Sequence, residues 1–424
     1  MRSRSALLWF SLLVACGKTQ SIANEPAAPI DRAAPFDAGA AWEEFEQVLR
    51  TFYAYLERDD LSVDDQLAHS RELALEARDA RALRSILHRT SFAFTDPHFL
   101  VGPFEGSDPN VIPTSSDLVI ALHDDAFVVA DVRADSAADE AGIRPGWQLL
   151  AVDGRTVDEA IEEIWGGVVL ARTPRQRAYA ATLAANGRQK GLRSLELRVD
   201  GKSRTFELPN PRTFAETVAR RPPLRAEIRD GLGIIRFENS LGRLETIVAF
   251  DQAIESMANV EVLVLDLRNT PSGGNTDVAR AVIGHFVTDT RPYQVHEIPA
   301  VERRTGVPRR FVEQVKPRAP HHPGRVVVVG GRWTGSMGEG LVIGMHAAAG
   351  TRTFASDMGD LLGALHGFDL ELSGARLEIG GESLFHVDGT PREHFVADIA
   401  LPTADRDAQG GDPALAAVRA WLTQ

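Results

Sequence analysis

Two apolar runs, Val262-Leu-Val-Leu-Asp-Leu267 and Arg325-Val-Val-Val-Val-Gly330, each lead into a Gly-rich loop and then a helical pattern. A strand that is apolar on both faces must be covered on both. Runs of this kind separated by helices therefore imply a mainly parallel sheet between two helical layers. Gly231-Leu-Gly-Ile-Ile-Arg-Phe237 reads as a further strand and Leu244–Met257 as an amphipathic helix. Asp277–Phe286 and Met337–Ala349 are the helices expected after the two runs. Residues 222–424 are thus predicted to form an α/β core. Within it, Asp369–Val387 alternates around Ser-Gly and Gly-Gly turns and predicts an antiparallel extension.

The 424 residues are 44% hydrophobic and 25% charged, enough for two or three domains. A net charge of −13 with no basic stripe argues against a nucleic-acid partner. In residues 40–105, Trp42, Phe45, Leu49, Phe52 and Leu56 recur at helical spacing, and helical patterns follow near Val63–Ala77 and Ala80–His88. They predict a small helical N-terminal subdomain ending near Thr95-Asp-Pro-His98, where Pro97 disfavours further helix. Residues 115–210 are β-rich, with strands at Leu118–Leu122 and Ala126–Val132 and a closing hairpin over Leu195–Leu208. Ala141-Gly-Ile-Arg-Pro-Gly-Trp-Gln-Leu-Leu-Ala-Val-Asp-Gly154 resembles the segment of a PDZ domain that joins a short helix, a Pro-Gly turn, a strand and an Asp-Gly turn. Trp147 stands where that family usually has Asp, and no Gly-Leu-Gly-Phe-like carboxylate loop is seen. Peptide capture and a purely structural role are both open for this unit.

At the N-terminus, Arg2 and Arg4 precede the apolar stretch Ala6–Ala15, too short to span a bilayer. Leu13-Val-Ala-Cys16, holding the only cysteine in the chain, resembles a bacterial lipoprotein signal. The resemblance implies cleavage after residue 15 and lipidation of Cys16. Gly17 after it implies the outer membrane, with residues 16–39 as a flexible tether to a membrane partner. An ordinary secretory signal cut after Ser21-Ile-Ala23 is the alternative. With one cysteine, no internal disulfide is available.

Ser336 lies in Gly330-Gly-Arg-Trp-Thr-Gly-Ser-Met-Gly-Glu339, between an expected strand and an expected helix. A hydroxyl at a helix N-terminus sits beside unpaired N–H groups that favour developing negative charge, as an acyl-transfer nucleophile requires. The plainer reading is a helix cap. Taken in order, Asp266-Leu-Arg268 with Ser272-Gly-Gly-Asn275, Thr334-Gly-Ser-Met-Gly-Glu339, and Asp388-Gly-Thr-Pro-Arg-Glu-His-Phe-Val-Ala-Asp398 resemble the S41 serine peptidases. That group comprises the C-terminal processing and tricorn-core peptidases, in which a PDZ domain is commonly embedded. The resemblance covers Ala41 to the end and implies a crotonase-like (ClpP-like) core.

It also implies roles. Ser336 would be the nucleophile, with the Met337 N–H and a glycine N–H from Gly273-Gly274 as oxyanion donors. The loop is one residue longer than the usual form, so either glycine could donate. Asp266 and Arg268 would hold the loop. C-terminal processing enzymes use a lysine base after the serine, but the only lysines are Lys18, Lys190, Lys202 and Lys316. The tricorn-like branch uses a histidine from the helical region and a later glutamate, which match His98 and Glu393. Pro97 departs from that pattern and leaves Asp96 as a second group able to orient His98. His346, His366, His386 and His394 could serve as base on chemistry alone.

No cofactor or metal is implied. Adjacent His321-His322 have no supporting carboxylate spacing, and Gly330–Gly340 lacks the Gly-Lys-Ser/Thr of a phosphate loop. The reading favoured is a serine endopeptidase acting on peptides or unfolded segments. The alternatives are an inactive binding protein on the same scaffold and an α/β-hydrolase-type esterase, whose Gly-x-Ser-x-Gly elbow is matched only approximately.

Overall fold

The computed structural model describes residues 35–58 and 60–424. The expected signal at 1–15, the lipidation site Cys16 and all but the end of the 16–39 tether lie outside the described residues. Helix α1 (Ala38–Phe52) starts a little before the apolar pattern does, because the Asp37 carboxylate accepts from the Ala40 N–H and caps it. Its stripe of Trp42, Phe45 and Leu49 is fully buried. Helices α2 (Val63–Leu75) and α3 (Ala80–Phe92) follow, the latter capped by Asp79. After α3 the chain turns through Thr95, at φ +50°, into an aromatic cluster of Tyr53, Phe94 and Phe99. That cluster brackets His98. Strand β1 (Leu100–Gly102) then leaves the helices.

Strands β2 (Leu118–His123) and β3 (Ala126–Val132) form a hairpin, followed by α4 (Ala137–Glu140), β4 (Gln148–Val152) and β5 (Arg155–Thr156). Helices α5 (Val157–Trp165) and α6 (Pro174–Ala185) lie between β5 and the closing hairpin. Both begin with a Thr whose side chain accepts from the N–H three residues on. The hairpin β6 (Arg193–Val199) and β7 (Lys202–Leu208) completes an antiparallel sheet ordered β2-β3-β4-β6-β7, with β5 on β4. Helix α7 (Pro211–Ala219) leads out of it.

The remaining chain builds the core. Its elements are β8 (Leu224–Arg229), β9 (Leu232–Phe237), α8 (Glu245–Ser256), β10 (Val262–Asp266) and α9 (Thr276–Gly284), then β11 (Arg291–Glu297), α10 (Pro299–Thr305), β12 (Arg310–Val315), β13 (Arg325–Gly330) and α11 (Met337–Ala349). β14 (Arg352–Ala355), β15 (Ala364–Leu370), β16 (Ala375–Phe385), a 3-10 turn at Arg392–His394, β17 (Ile399–Ala400) and α12 (Pro413–Leu422) complete it. One sheet is ordered β17-β14-β13-β10-β9-β8 and is parallel except at β8. The other joins β1, β16, β11 and β12, with β15 on β16. Residues Asp37–Gln424 form one compact unit.

The two-fold alternation of a strand explains why β10 is apolar throughout. Leu263 and Leu265 pack into a cluster with Phe250, Ile254, Val278, Val282, Leu341 and Met345 from α8, α9 and α11. Val262 and Val264 face the opposite way, toward Val327, Val329 and Phe354 and toward Ala414, Leu415 and Val418 of α12. Helices therefore cover both faces of this sheet. Asp266, the one polar residue of the strand, sits at its C-terminal end, paired in register with Val329.

The expected antiparallel extension forms as the β15–β16 hairpin, turning at Ser373-Gly374. Gly380-Gly381 is no second turn. It lies inside β16, where a Cβ on Gly381 would meet the His366 ring at 2.6 Å and one on Gly380 would strike the Leu362 carbonyl. Among the described residues no helix is long and apolar enough to cross a membrane. Leu265 is fully buried, and truncation to Ala is expected to lower the unfolding free energy by about 2–5 kcal/mol, read from urea denaturation. A loss below about 1 kcal/mol would contradict this packing.

Candidate active site

Ser336 sits where β13 ends and α11 begins, at φ 53° and ψ −116°. An ordinary N-cap residue has extended backbone, so this serine is not placed as a simple cap. A non-glycine residue here carries strain on the order of 1–3 kcal/mol, which the surroundings must hold in place. Its flanking glycines are required by close approach: a Cβ on Gly335 would lie 2.6 Å from the Pro271 carbonyl, and one on Gly338 would strike Thr270 Oγ1. The Ser336 N–H donates to Glu339 Oε2 at 2.7 Å, one arm of a capping box between these two residues. The residue is half-buried at the start of the helix.

The loop after β10 packs directly against this turn. A Cβ on Gly273 would lie 2.7 Å from Met337 N and closer still to Ser336 Cβ. Most of the loop's N–H groups are occupied. Thr270 donates to the Trp333 carbonyl, Ser272 to Asn239 Oδ1, Gly273 to the Thr270 carbonyl and Asn275 to the Leu241 carbonyl. The N–H groups of Gly274 and Met337 have no acceptor among the described residues. Of the two glycines expected to donate, Gly273 is therefore engaged within its own turn and Gly274 is open.

His98 is buried, and its Nδ1 lies 2.9 Å from the Leu362 carbonyl. A carbonyl only accepts, so Nδ1 carries the proton and Nε2 is left with a free lone pair. Burial, and secondarily the Arg392 charge, lowers the imidazole pKa to about 4, so the ring is neutral at pH 7. Asp96 fixes the backbone here rather than the ring. Its Oδ1 accepts from the N–H of His98 and of Leu362, and Oδ2 from the Tyr53 hydroxyl. Its own pKa is pushed up to about 6 by desolvation.

The segment Asp360–Gly363 connects the two residues. Leu362 carries the His98 bond, while the N–H groups of Asp360 and Leu361 donate to the same Glu339 carboxylate that receives Ser336. Arg392 donates to the carbonyls of Ser336, Leu361 and Gly363. No hydrogen bond joins the Ser336 and His98 side chains themselves. Glu339 and Arg392 went unnoticed in the sequence. Glu339 had a signal, an acidic residue three places after a helix-start serine; Arg392 had none beyond adjacency to Glu393.

Glu393 is exposed on the 3-10 turn and makes no hydrogen bond or ion pair among the described residues. Its charge helps raise the Tyr55 hydroxyl, whose shift is mainly from burial. Glu393 is expected to orient the base indirectly; the group bonded to the imidazole Nδ1 is the Leu362 carbonyl. Asp266 and Arg268 form a buried pair, with Arg268 also reaching the Ala404 carbonyl and Asp412. They thus tie the end of β10 to the C-terminal segment and α12 rather than to the glycines. His346 pairs with His386, and His366 with Glu382, both away from Ser336's bonding partners. Among the described residues, no three His, Cys, Asp or Glu side chains are arranged to hold a metal.

No family model and no curated relative matches this sequence. Solved structures do. The complex of mature CPAF with lactacystin superposes with a TM-score of 0.58 at 14% identity, covering 88% of this chain and 94% of that one. The photosystem II D1 C-terminal processing protease gives 0.54 at 16% identity, covering 87% and 94%. The chain has the fold of the S41 peptidases.

The carboxylate of Glu339 serves three N–H donors, and burial raises its pKa to about 7. Glu339→Ala leaves those donors without a protein acceptor and is expected to cost about 1–3 kcal/mol by denaturant titration. An NMR titration of His98 should give a midpoint near 4, with the ring neutral at pH 7. Between pH 4 and the ordinary 6.5 the unfolded chain holds a proton the folded one refuses, so this residue's contribution to stability falls as pH drops through that window. A midpoint at 6.5 would contradict the burial described.

Proposed function

We propose that the protein is a cofactor-independent serine endopeptidase acting on peptides or unfolded protein segments. The observation that carries this is the Ser336 turn, a positive-φ serine at a helix start with two open N–H groups, Met337 and Gly274, on the segments that meet there. A strained strand-to-helix elbow that presents a hydroxyl is the arrangement nucleophilic acyl transfer uses. The likeness to solved S41 peptidases supports a peptidase; the base candidate preceding the serine argues against the esterase, and the presence of Ser336, His98 and Gly273-Gly274 argues against a binding protein that has lost activity.

In this mechanism His98 Nε2 takes the Ser336 proton as Oγ attacks the scissile carbonyl. The Met337 and Gly274 N–H groups stabilise the oxyanion, a contribution of about 3–4 kcal/mol per donor in comparable sites. The imidazolium returns the proton to the leaving amine, and water, deprotonated by the same ring, releases the acyl group. The Leu362 carbonyl holds the ring in the required tautomer. A low pKa makes His98 available as a base far into acid, while the strengthening of charge on Ser336 attack must be met by neighbouring dipoles. Glu393 acts, in this reading, only through the local field. We further propose anchoring through lipid on Cys16 at the periplasmic face of the outer membrane.

A serine-directed fluorophosphonate is expected to label the wild type and not Ser336→Ala; equal labelling would remove the nucleophile. His98→Ala should lower kcat for a peptide substrate about 10²–10⁴-fold. Full retained hydrolysis would leave the class standing and discard the base.

A further inference from the structure

The antiparallel sheet β2–β7 touches the site's loops through buried polar groups, and its β2 edge is occupied by side chains of α6 and the residue after it. Arg133, directly after β3, is almost fully buried and forms no ion pair among the described residues. Its Nε and Nη2 reach Asn269 Oδ1 at 3.3 and 2.7 Å, and Nη1 donates to the carbonyls of Thr114 and Ser116. The Phe214 ring lies 5.0 Å from the guanidinium carbon. Desolvation lowers its pKa to about 10. A dry guanidinium satisfied only by neutral acceptors is costly to keep, so its bonds to the loop demand an explanation.

Those bonds continue toward the glycines. The Asn269 carbonyl accepts from the Asn239 N–H at 2.7 Å, and Asn269 Nδ2 donates to buried Glu238. Asn239, at φ +48°, clamps Ser272 twice: Oδ1 accepts the Ser272 N–H and Nδ2 donates to its hydroxyl, both at 3.0 Å. Thr114 Oγ1 meets the same hydroxyl at 3.0 Å. Ser272 is one residue before Gly273-Gly274. On the other side, Trp333, three residues before Ser336, donates from Nε1 to the carbonyl and hydroxyl of Ser116. Both segments that carry the open N–H groups are therefore braced against Thr114–Ser116.

β2 is an edge strand, and its free edge is occupied in cis. Thr182 Oγ1 of α6 accepts from the Ile120 N–H and donates to the Ile120 carbonyl. Asn186 Oδ1 accepts from the N–H of Asp117 and Leu118, and its Nδ2 donates to the Leu118 carbonyl. An incoming strand would have to displace these side chains.

We propose that Arg133 is a positioning residue for the Asn269–Gly274 loop, acting through Asn269 and Asn239, and that the β2 side of this sheet braces the site. The proposal builds on the peptidase reading above. Arg133→Met and Asn239→Ala are expected to lower both kcat and the fluorophosphonate labelling rate of Ser336 about 10–100-fold, with KM changed less than about twofold. Arg133→Lys, which keeps a donor toward Asn269, should recover part of the loss. Asn239 is half-buried in a loop, so Asn239→Ala carries the test if Arg133→Met does not fold. Wild-type labelling matched by folded variants would overturn the positioning role alone, as would a rise in KM with kcat unchanged. Absence of Ser336 labelling in the wild type would overturn the peptidase reading and this proposal with it.

Discussion

The Glu339 carboxylate is the point at which separate parts of the chain are joined. It accepts N–H groups from Ser336 on its own helix and from Asp360 and Leu361 on a distant loop, with the Arg392 guanidinium facing it. Desolvation raises its pKa because little water reaches it, and the three donors make its burial tolerable. Together with Arg392, which donates to the carbonyls of Ser336 and Leu361, and the Gly359 N–H bonded to the Thr334 carbonyl, that shared acceptor links the strained turn at Ser336 to the loop that carries the Leu362 carbonyl.

The consequence is a site assembled from three origins. The parallel sheet delivers Ser336 and the glycine loop at the C-terminal ends of β13 and β10, the end where open α/β sheets present ligands. The helical N-terminal region delivers His98, held by an aromatic cluster and by Asp96, which bonds the backbone of both His98 and Leu362. The β2–β7 sheet delivers no reacting group but braces the loops on either side of the serine. Each contribution is individually modest. For the acyl transfer proposed above, their value is geometric, since that reaction needs donors and base held before it begins.

Much of this was legible from residue patterns. The unbroken apolar character of Val262–Leu265 and Val326–Val329 announced strands covered on both faces, and the helix starting at Met337 followed from the glycines and apolar run around it. Ser336 stood out in a Gly-rich strand-to-helix turn, while Met337 and His98 were named only by the S41 resemblance. What misled was subtler. Gly380-Gly381 looked like a turn, yet their small size serves contacts with Leu362 and His366 across the sheet. Gly273 and Gly274 looked equivalent, and only the Thr270 carbonyl distinguishes them. Glu393 stood where a resemblance placed it, but a backbone carbonyl, which carries no mark in a sequence, holds the ring instead.

The order of residues alone dictated which segments become strands and helices, because periodicity and capping are local properties that a short stretch carries within itself. It also determined the chemical inventory: one serine in a tight turn, no lysine after it, and a histidine beyond a helix-stopping proline. Tertiary structure decided what those groups touch. Burial sets the proton affinity of His98 and Glu339, and the meeting of Asp360–Gly363 with Ser336 and His98 joins residues more than two hundred positions apart. Such long-range contacts arise from packing the whole molecule at once, and no local pattern encodes them.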